Sequence, residues 1–333
     1  MRCSPYISTI SELKKKIRTL PQNPITPMVK QAVESYETNA MTEPSSDQLA
    51  SGLRTVLTII PGTATSDGAG VSLTRYIGSA QLDHLDPFLM LDFFESDNPD
   101  DYIAGFPAHP HRGFETVTYL LAGRMRHEDS TGHGGVIEAG GIQWMSAGRG
   151  IIHSEMPEQE HGRLAGFQLW VNLPGRLKMS SPNYREFPAD DIPEEVRGND
   201  VKIRVITGAT SGGTRGPVAN VVTQPLYLDV SMLPGSEFIE SLLPNQSAFV
   251  FVIDGTITIG GPGTQNNRTI SSRQLAVLGP GKQVYVVADD DACRFLLVAG
   301  DPIGEPVSRH GPFVMNTHEE IIQAVHDFNA GNF

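Results

Sequence analysis

The 333-residue sequence is poor in cysteine, in long apolar runs and in basic side chains. Two cysteines, Cys3 and Cys293, are too few for a disulfide framework and are not spaced for a zinc knuckle. No stretch approaches roughly 18 consecutive apolar residues, so we expect no membrane span. The 25 basic and 38 acidic side chains give a net charge of −13. This charge argues against direct binding to nucleic acid, because such binding depends on neutralising phosphates.

The N-terminus also lacks the charged segment followed by an apolar run that marks a secretory signal. Together with the scarcity of cysteine, this predicts an intracellular location, cytoplasmic or nuclear. The first residues differ in composition from the rest: a basic cluster lies at 14–18, and a polar run follows at 42–51. They predict a mobile N-terminal extension over residues 1–51.

From about residue 54 onward the sequence contains short β-branched or aromatic-rich runs bounded by Gly, Pro or Asp, which are typical of strands. The clearest lie at 116–121, 166–173, 202–207, 226–232 and 293–298. Strict alternation within 226–232 predicts one buried face and one wetter face, the latter carrying Tyr227 and Asp229. Asp254-Gly255 between two apolar runs predicts a hairpin turn.

One convincing helix is predicted, at the C-terminus. Thr317 and Glu320 form a capping box, and the apolar residues after them share one helical face: Ile321, Ile322, Val325 and Phe328. The rest of the chain shows a weak internal repeat. Similar apolar runs end in glycine turns at 118–123 and 249–255, and about 25 residues after each comes a second turn. The simplest account is two copies of one β-unit, each of jelly-roll size.

The residues that suggest chemistry are two pairs with the same spacing. His109 and His111 are two apart in a segment before a strand, so both imidazoles can point to one side of an extended backbone. His153 and Glu155 repeat this geometry after a glycine turn. A lone His-x-His pair is more often surface decoration, but the second pair favours a metal site. Three nitrogens and a carboxylate suit Fe, Mn, Ni, Cu or Zn and leave positions open for substrate or dioxygen.

Three segments resemble the pirin family of the cupin superfamily: residues 109–119 (HPHRGFETVTY), 143–157 (QWMSAGRGIIHSEMP) and 311–316 (GPFVMN). The resemblance implies an all-β chain of two stacked cupin (jelly-roll) β-barrels with a C-terminal α-helix. It implies an N-terminal metal-binding barrel at 52–195 and a C-terminal barrel at 196–333. It also implies a single metal, usually iron, on residues matching the family's ligands: His109, His111, His153 and Glu155.

Two further expectations follow from this comparison, one for Glu115 and one for the second half of the chain. Most cupins take a ligand from a glutamate four residues after the second histidine, which here is Glu115, whereas in pirins Glu155 takes that role. Glu115 is therefore expected either to contact the ligand residues without binding the metal itself or to have a structural role. In the second half the corresponding offsets fall near Ser241, Leu243, Val286 and Ala288. None of these is a good ligand, so the second barrel is expected to bind no metal.

Two functions remain open. The first, implied by pirin relatives with quercetinase activity, is a dioxygenase that uses Fe(II), or another divalent transition metal, and O2 to cleave a flavonol. Glu155 or Glu115 would accept the proton of the 3-hydroxyl group, and carbon monoxide would be released. The second is a redox-sensitive nuclear co-regulator that binds a protein partner, a transcription regulator. Both need the same metal site, and a monomer is expected for either.

Overall fold

The structure, a computed structural model, describes residues 52–219, 221–262 and 266–333, so the prediction for residues 1–51 lies outside it. The fold is mostly β and consists of two cupin barrels, as predicted. The strands of the first half are β1 Val56–Ile60, β2 Thr63–Asp67, β3 Val71–Ile77, β4 Phe88–Ser96, β5 Phe106–His111, β6 Phe114–Ala122, β7 Arg124–Asp129, β8 Gly134–Glu138, β9 Ile142–Ser146, β10 Ile151–Pro157, β11 Leu164–Asn172 and β12 Asn183–Phe187.

The strands of the second half are β13 Glu194–Arg197, β14 Val201–Thr207, β15 Leu226–Met232, β16 Glu237–Ser241, β17 Ser247–Asp254, β18 Thr256–Ile259, β19 Arg268–Ser271, β20 Leu275–Leu278, β21 Gln283–Ala288, β22 Cys293–Gly300, β23 Ser308–His310 and β24 Phe313–Met315. The helices are α1 Gly175–Lys178 and α2 His318–Asn329, and 3-10 turns lie at Pro99–Asp101 and Ala189–Asp191. The five predicted strand runs fall on β6, β11, β14, β15 and β22. No helix of the described residues is long and apolar enough to cross a membrane.

Each barrel pairs a seven-stranded sheet with a four-stranded one. In the first barrel the large sheet has the order β12-β9-β6-β11-β4-β3-β2 and the small sheet the order β5-β10-β7-β8. In the second barrel the corresponding orders are β1-β20-β17-β22-β15-β14-β13 and β16-β21-β18-β19. The small sheets match strand for strand, which confirms the two copies suggested by the sequence repeat.

The two large sheets pack face to face. Phe167 of β11 meets Phe251 of β17 edge to face, with 5.0 Å between the ring centroids. In the same interface the Tyr119 hydroxyl donates a hydrogen bond to Asp229 Oδ2 at 2.5 Å. The prediction of a wetter face on β15 is therefore wrong, because Tyr227 and Asp229 are each only 1% exposed. The first barrel covers the face of β15 that a single sheet would leave in water.

The predicted hairpin at Asp254-Gly255 is also wrong. β17 pairs with β20 and β22, whereas β18 pairs with β19 and β21, so the chain passes from one sheet to the other at this turn. Gly255 makes the corner with φ +78°, and a Cβ there would lie 2.5 Å from the Ala292 carbonyl oxygen. Only glycine fits so close an approach with a positive φ. The dipeptide indicates a tight turn but not which sheet the next strand joins.

The ends of the described chain are exchanged between the barrels. β1 pairs with β20 of the second barrel, and Arg54 just before it donates to the Gln246 and Gly279 carbonyls. At the other end, the hairpin β23–β24 and helix α2 return to the first barrel, where Arg112 Nη1 lies 2.8 Å from Asp327 Oδ2. The domain boundaries at 52–195 and 196–333 stay a prediction. In the structure, the first strand of the first range pairs with the second barrel, and the C-terminal hairpin and helix of the second range contact the first barrel.

Helix α2 begins as predicted. Thr317 Oγ1 accepts from the Glu320 amide at 3.2 Å, and Glu320 Oε2 accepts from the Thr317 amide at 3.0 Å. Ile321 is buried, and Phe328 packs in the same cluster against Phe313. Ile322 is 57% exposed, so its predicted place on the packed face is wrong.

Candidate metal centre

Three histidines converge on the inner side of the small sheet in the first barrel. His109 and His111 lie on β5 and His153 on its antiparallel neighbour β10, where His153 pairs directly with His109. The i, i+2 spacing places both β5 imidazoles on one face, and the ring centroids of the three histidines are 4.3 to 4.9 Å apart. Their ligand-type nitrogens all lie within 4.8 Å of one another. This is the spacing of groups that share one ion.

The nitrogens themselves are suited to a metal. His109 Nε2 and His111 Nε2 face each other at 3.0 Å, and His109 Nδ1 lies 2.8 Å from the Pro107 carbonyl oxygen. The buried His153 Nε2 has no hydrogen-bond partner among the described residues. Burial, together with the neighbouring histidines, lowers the pKa of His111 and of His153 well below the ordinary value. Both rings are therefore neutral near pH 7, which is the form that binds metals.

The fourth predicted ligand, Glu155, lies on the same strand but is held differently. The register of β10 against β5 shifts between His153 and Glu155. The Glu155 oxygens accept hydrogen bonds from Thr118 Oγ1 at 2.5 Å and from Gln168 Nε2 at 2.8 Å. Within the described part of the chain, the group of ligand atoms inside 4.8 Å comprises the three histidines and not this carboxylate. Glu155 nevertheless lines the same cavity as His109 and His111.

Glu115 points away from the histidines. On β6 it is three residues from Thr118, whose hydroxyl faces Glu155, and in the pleat an odd separation reverses the face. Glu115 pairs with Ser146 and with Val171, a residue of the core between the barrels. Burial raises the pKa of Glu115 to about 7, opposed by hydrogen bonding to Trp144 and Ser146 and by the charge of Arg185. Of the two catalytic candidates, only Glu155 borders the cavity.

A buried histidine that was not predicted from the sequence, His127, lies behind the site. His127 Nδ1 lies 3.4 Å from His153 Nδ1, and His127 Nε2 lies 3.5 Å from Asp129 Oδ2. The His127 ring also stacks on Tyr184, with 4.5 Å between centroids. His127 and Asp129 show the same i, i+2 spacing as the two predicted pairs, and this signal could have identified them. His84, His133 and His161 are exposed and take no part in the triad.

Two histidines of the triad, His109 and His111, line a cavity of about 560 Å³. Such a volume is typical of small-molecule sites. Its floor carries His109, His111 and Glu155, and Gln168 lies beside them. Its walls are largely apolar and come from the large sheet and β5: Leu73, Met90, Phe94, Phe106 and Trp170. Two arginines, Arg75 and Arg309, line the same cavity.

The described residues of the second barrel form no equivalent of this site. β16 and β21 correspond to β5 and β10, and Val286, which the sequence repeat matches to His153, pairs with Phe238. The predicted Ser241 is the last residue of β16, and Leu243 lies beyond the strand. Phe238 and Val286 belong to the apolar core that fills this barrel. That these positions offer no ligand set stays a prediction.

Fold and site together define a bicupin in which the histidine triad found among the described residues lies in the first barrel. Two family models match the chain: Pirin over residues 70–171 and the Pirin C-terminal cupin domain over residues 227–333. A pirin-like protein of Caulobacter vibrioides is 53% identical over 84% of this chain and 99% of its own length. The chain belongs to the pirin family of the cupin superfamily.

Two further relatives carry an enzyme name. A protein of Pseudomonas aeruginosa, provisionally named quercetin 2,3-dioxygenase, is 45% identical over 84% of this chain and 97% of its own length. The crystal structure of a quercetin 2,3-dioxygenase from Acinetobacter baumannii superposes with a TM-score of 0.76 at 31% identity. The superposition covers 84% of this chain and 98% of the Acinetobacter baumannii chain.

Proposed function

We propose that this protein is an Fe(II)-dependent dioxygenase that cleaves a flavonol with O2. The observation that carries the proposal is the convergence of three imidazoles, two of them buried and neutral, where His109 and His111 line a cavity large enough for a small aromatic molecule. The structural likeness to a quercetin 2,3-dioxygenase supports the same reaction class. The substrates would be a small-molecule flavonol and O2.

The donor set fits a divalent transition metal. The unpartnered Nε2 of His153 and the facing Nε2 atoms of His109 and His111 are the nitrogens that would hold it. Glu155, two residues after His153, would be the fourth ligand. When bound, iron would supply Lewis-acid and one-electron chemistry for the reaction of the flavonol with O2.

The chain's own residues would bind the flavonol and move its proton. Glu155 would accept the proton of the 3-hydroxyl group, and its orientation is fixed by hydrogen bonds from Thr118 and Gln168. Trp170 and the other apolar wall residues would pack on the flavonol rings and exclude water. Ring cleavage then releases carbon monoxide.

The test is aerobic turnover of a flavonol by the iron-loaded protein, followed as loss of flavonol absorbance and as oxygen uptake. His153→Ala should lose metal and activity together. Glu155→Gln should retain part of the metal and lose about 100-fold or more in turnover, because it cannot accept a proton. His161→Ala is the matched control, since His161 is exposed and outside the triad. Inactivity of correctly loaded protein, or full activity of Glu155→Gln, would contradict the proposal.

A further inference from the structure

The mouth of the metal-site cavity contains two arginines and two carboxylates, and three of these four side chains are paired with one another or with a neighbouring amide in the described part of the chain. Arg75 Nε and Nη2 donate to the two oxygens of Asp92 at 2.8 and 2.7 Å. Arg75 Nη2 also reaches Asp67 Oδ2 at 2.8 Å. The other oxygen of Asp67 accepts from the Gly68 amide. The hydrogen-bonding capacity of both carboxylates is thus directed to groups other than Arg309.

Arg309 is the unpaired member. Over residues 52–219, 221–262 and 266–333, its guanidinium group makes no hydrogen bond and no salt bridge to a protein group, although Asp67, Asp83 and Asp92 act on its charge from a distance. Burial, and secondly the charge of Arg75, lower the pKa of Arg309 below the ordinary value. An arginine nevertheless remains protonated near neutral pH.

Although unpaired, Arg309 is held in place. Its guanidinium carbon lies 4.8 Å from the centroid of the Trp170 ring, and that ring lies 5.1 Å from the His111 ring. Its Nη1 lies beside Gly78, 3.5 Å from the position that a Cβ on that residue would take. The backbone of Arg309 pairs with Val314, whose carbonyl accepts from the buried Lys178 Nζ at 3.1 Å. The hairpin is therefore fixed while the five N–H donors of the guanidinium group are free.

We propose that Arg309 binds an anionic oxygen group, a carboxylate or an ionised phenol, on the outer end of the substrate. Arg309 and His111 both contact Trp170 and line the same cavity, so a planar molecule in that cavity with one end at the triad would present its other end to the guanidinium group. A guanidinium group binds a carboxylate through two parallel hydrogen bonds. The inference rests on the proposed function for the planar scaffold and adds that the preferred substrates are anions.

The experiment measures binding rather than turnover. The probes are 3-hydroxyflavone and 3-hydroxyflavone-4′-carboxylate, which share one scaffold and differ in charge at the end remote from the hydroxy-ketone. Dissociation constants are measured without oxygen, on protein loaded with Ni(II), for wild type, Arg309→Gln and Arg309→Lys. Arg176→Gln is the matched control, because Arg176 is exposed on α1 and loses the same charge outside the cavity.

The wild type should bind the carboxylate at least tenfold more tightly than the neutral probe. Arg309→Gln should weaken carboxylate binding by about 10- to 100-fold and the neutral probe by less than about threefold, as expected for loss of a charge-assisted hydrogen bond. Arg309→Lys should recover part of the difference, and Arg176→Gln should change neither value. Equal weakening of both probes by Arg309→Gln would overturn the proposal. Wild type that fails to prefer the anion, or binds neither probe, would overturn it as well.

Failure of the proposed function gives a different result. Iron-loaded protein that consumes no flavonol but still shows an Arg309-dependent preference for the anion would refute the dioxygenase and support the anion site. Normal flavonol turnover with no such preference would refute the anion site alone.

Discussion

His127 contacts Asp129 on one side and the metal-site residue His153 on the other. Replacing His127 by glutamine or by asparagine tests which of these two contacts matters for metal binding. For His153 Nε2 to bind a metal, the ring proton must lie on Nδ1. That proton then points to His127 Nδ1, 3.4 Å away, and the His127 Nε2 proton points to Asp129, 3.5 Å away. Such contacts fix the tautomer of a metal-binding histidine and raise its basicity.

The two variants each keep one contact. Glutamine places an amide near the Nε2 position and can still meet Asp129, whereas asparagine places an acceptor near the Nδ1 position and can still meet His153. Loss of such an outer partner costs about 10- to 100-fold in metal affinity. Because the contact is long for a hydrogen bond, we expect His127→Gln to lie near tenfold, about 1.4 kcal/mol. His127→Asn should stay within about threefold of wild type.

The assay is competition for Ni(II) with a chromophoric chelator at fixed pH. His161→Gln is the control, because His161 is exposed. Thermal unfolding of the metal-free proteins serves to exclude a general loss of packing on Tyr184. The reasoning would be refuted if His127→Gln bound Ni(II) as tightly as the control, or if the asparagine variant were as weak as the glutamine variant.

Three further changes test other parts of the structure. His109→Ala should reduce bound metal, measured by elemental analysis, from about one equivalent per chain to almost none. A second equivalent of metal in the wild type would contradict the expectation that the second barrel binds no metal. Tyr119→Phe should lower the free energy of unfolding, measured by urea denaturation, by about 1–2 kcal/mol. The substitution removes a hydrogen bond to a charged acceptor, while Asp229 keeps both of its bonds to Arg294. Since Glu115 has a pKa of about 7 in the folded state against 4.5 ordinarily, the folded protein holds the extra proton, and stability should fall as pH rises between these values. Glu115→Gln should abolish that slope and stabilise the protein at pH 8 by up to about 3 kcal/mol, with unchanged metal content.

Local features of the fold could be predicted from the sequence where they depend on one short segment. The capping box at Thr317 and the i, i+2 pairing of His109 with His111 depend on residues within a turn or a strand. The resemblance to pirins extended this to the two-barrel architecture. What one strand touches on its far side could not be read in the same way.

The errors arise where the surroundings of a residue come from another part of the chain. Asp229 alternates like a solvent-facing residue, yet it is buried because the other barrel packs on its face. Gly255 turns the chain into a different sheet rather than into a hairpin. His127 was passed over because its partner His153 is distant in sequence. Arg309, more than 130 residues from the histidines, joins their cavity only through the returning C-terminal hairpin.

The central claim is that the histidine triad of the first barrel supports cleavage of a flavonol by O2, and the most direct measurement is carbon monoxide released per flavonol consumed. Iron-loaded wild type should release about one molecule of carbon monoxide for each flavonol that disappears, and His153→Ala, given the same iron and the same flavonol, should release none. Flavonol loss without carbon monoxide, or equal release by His153→Ala, would contradict the claim.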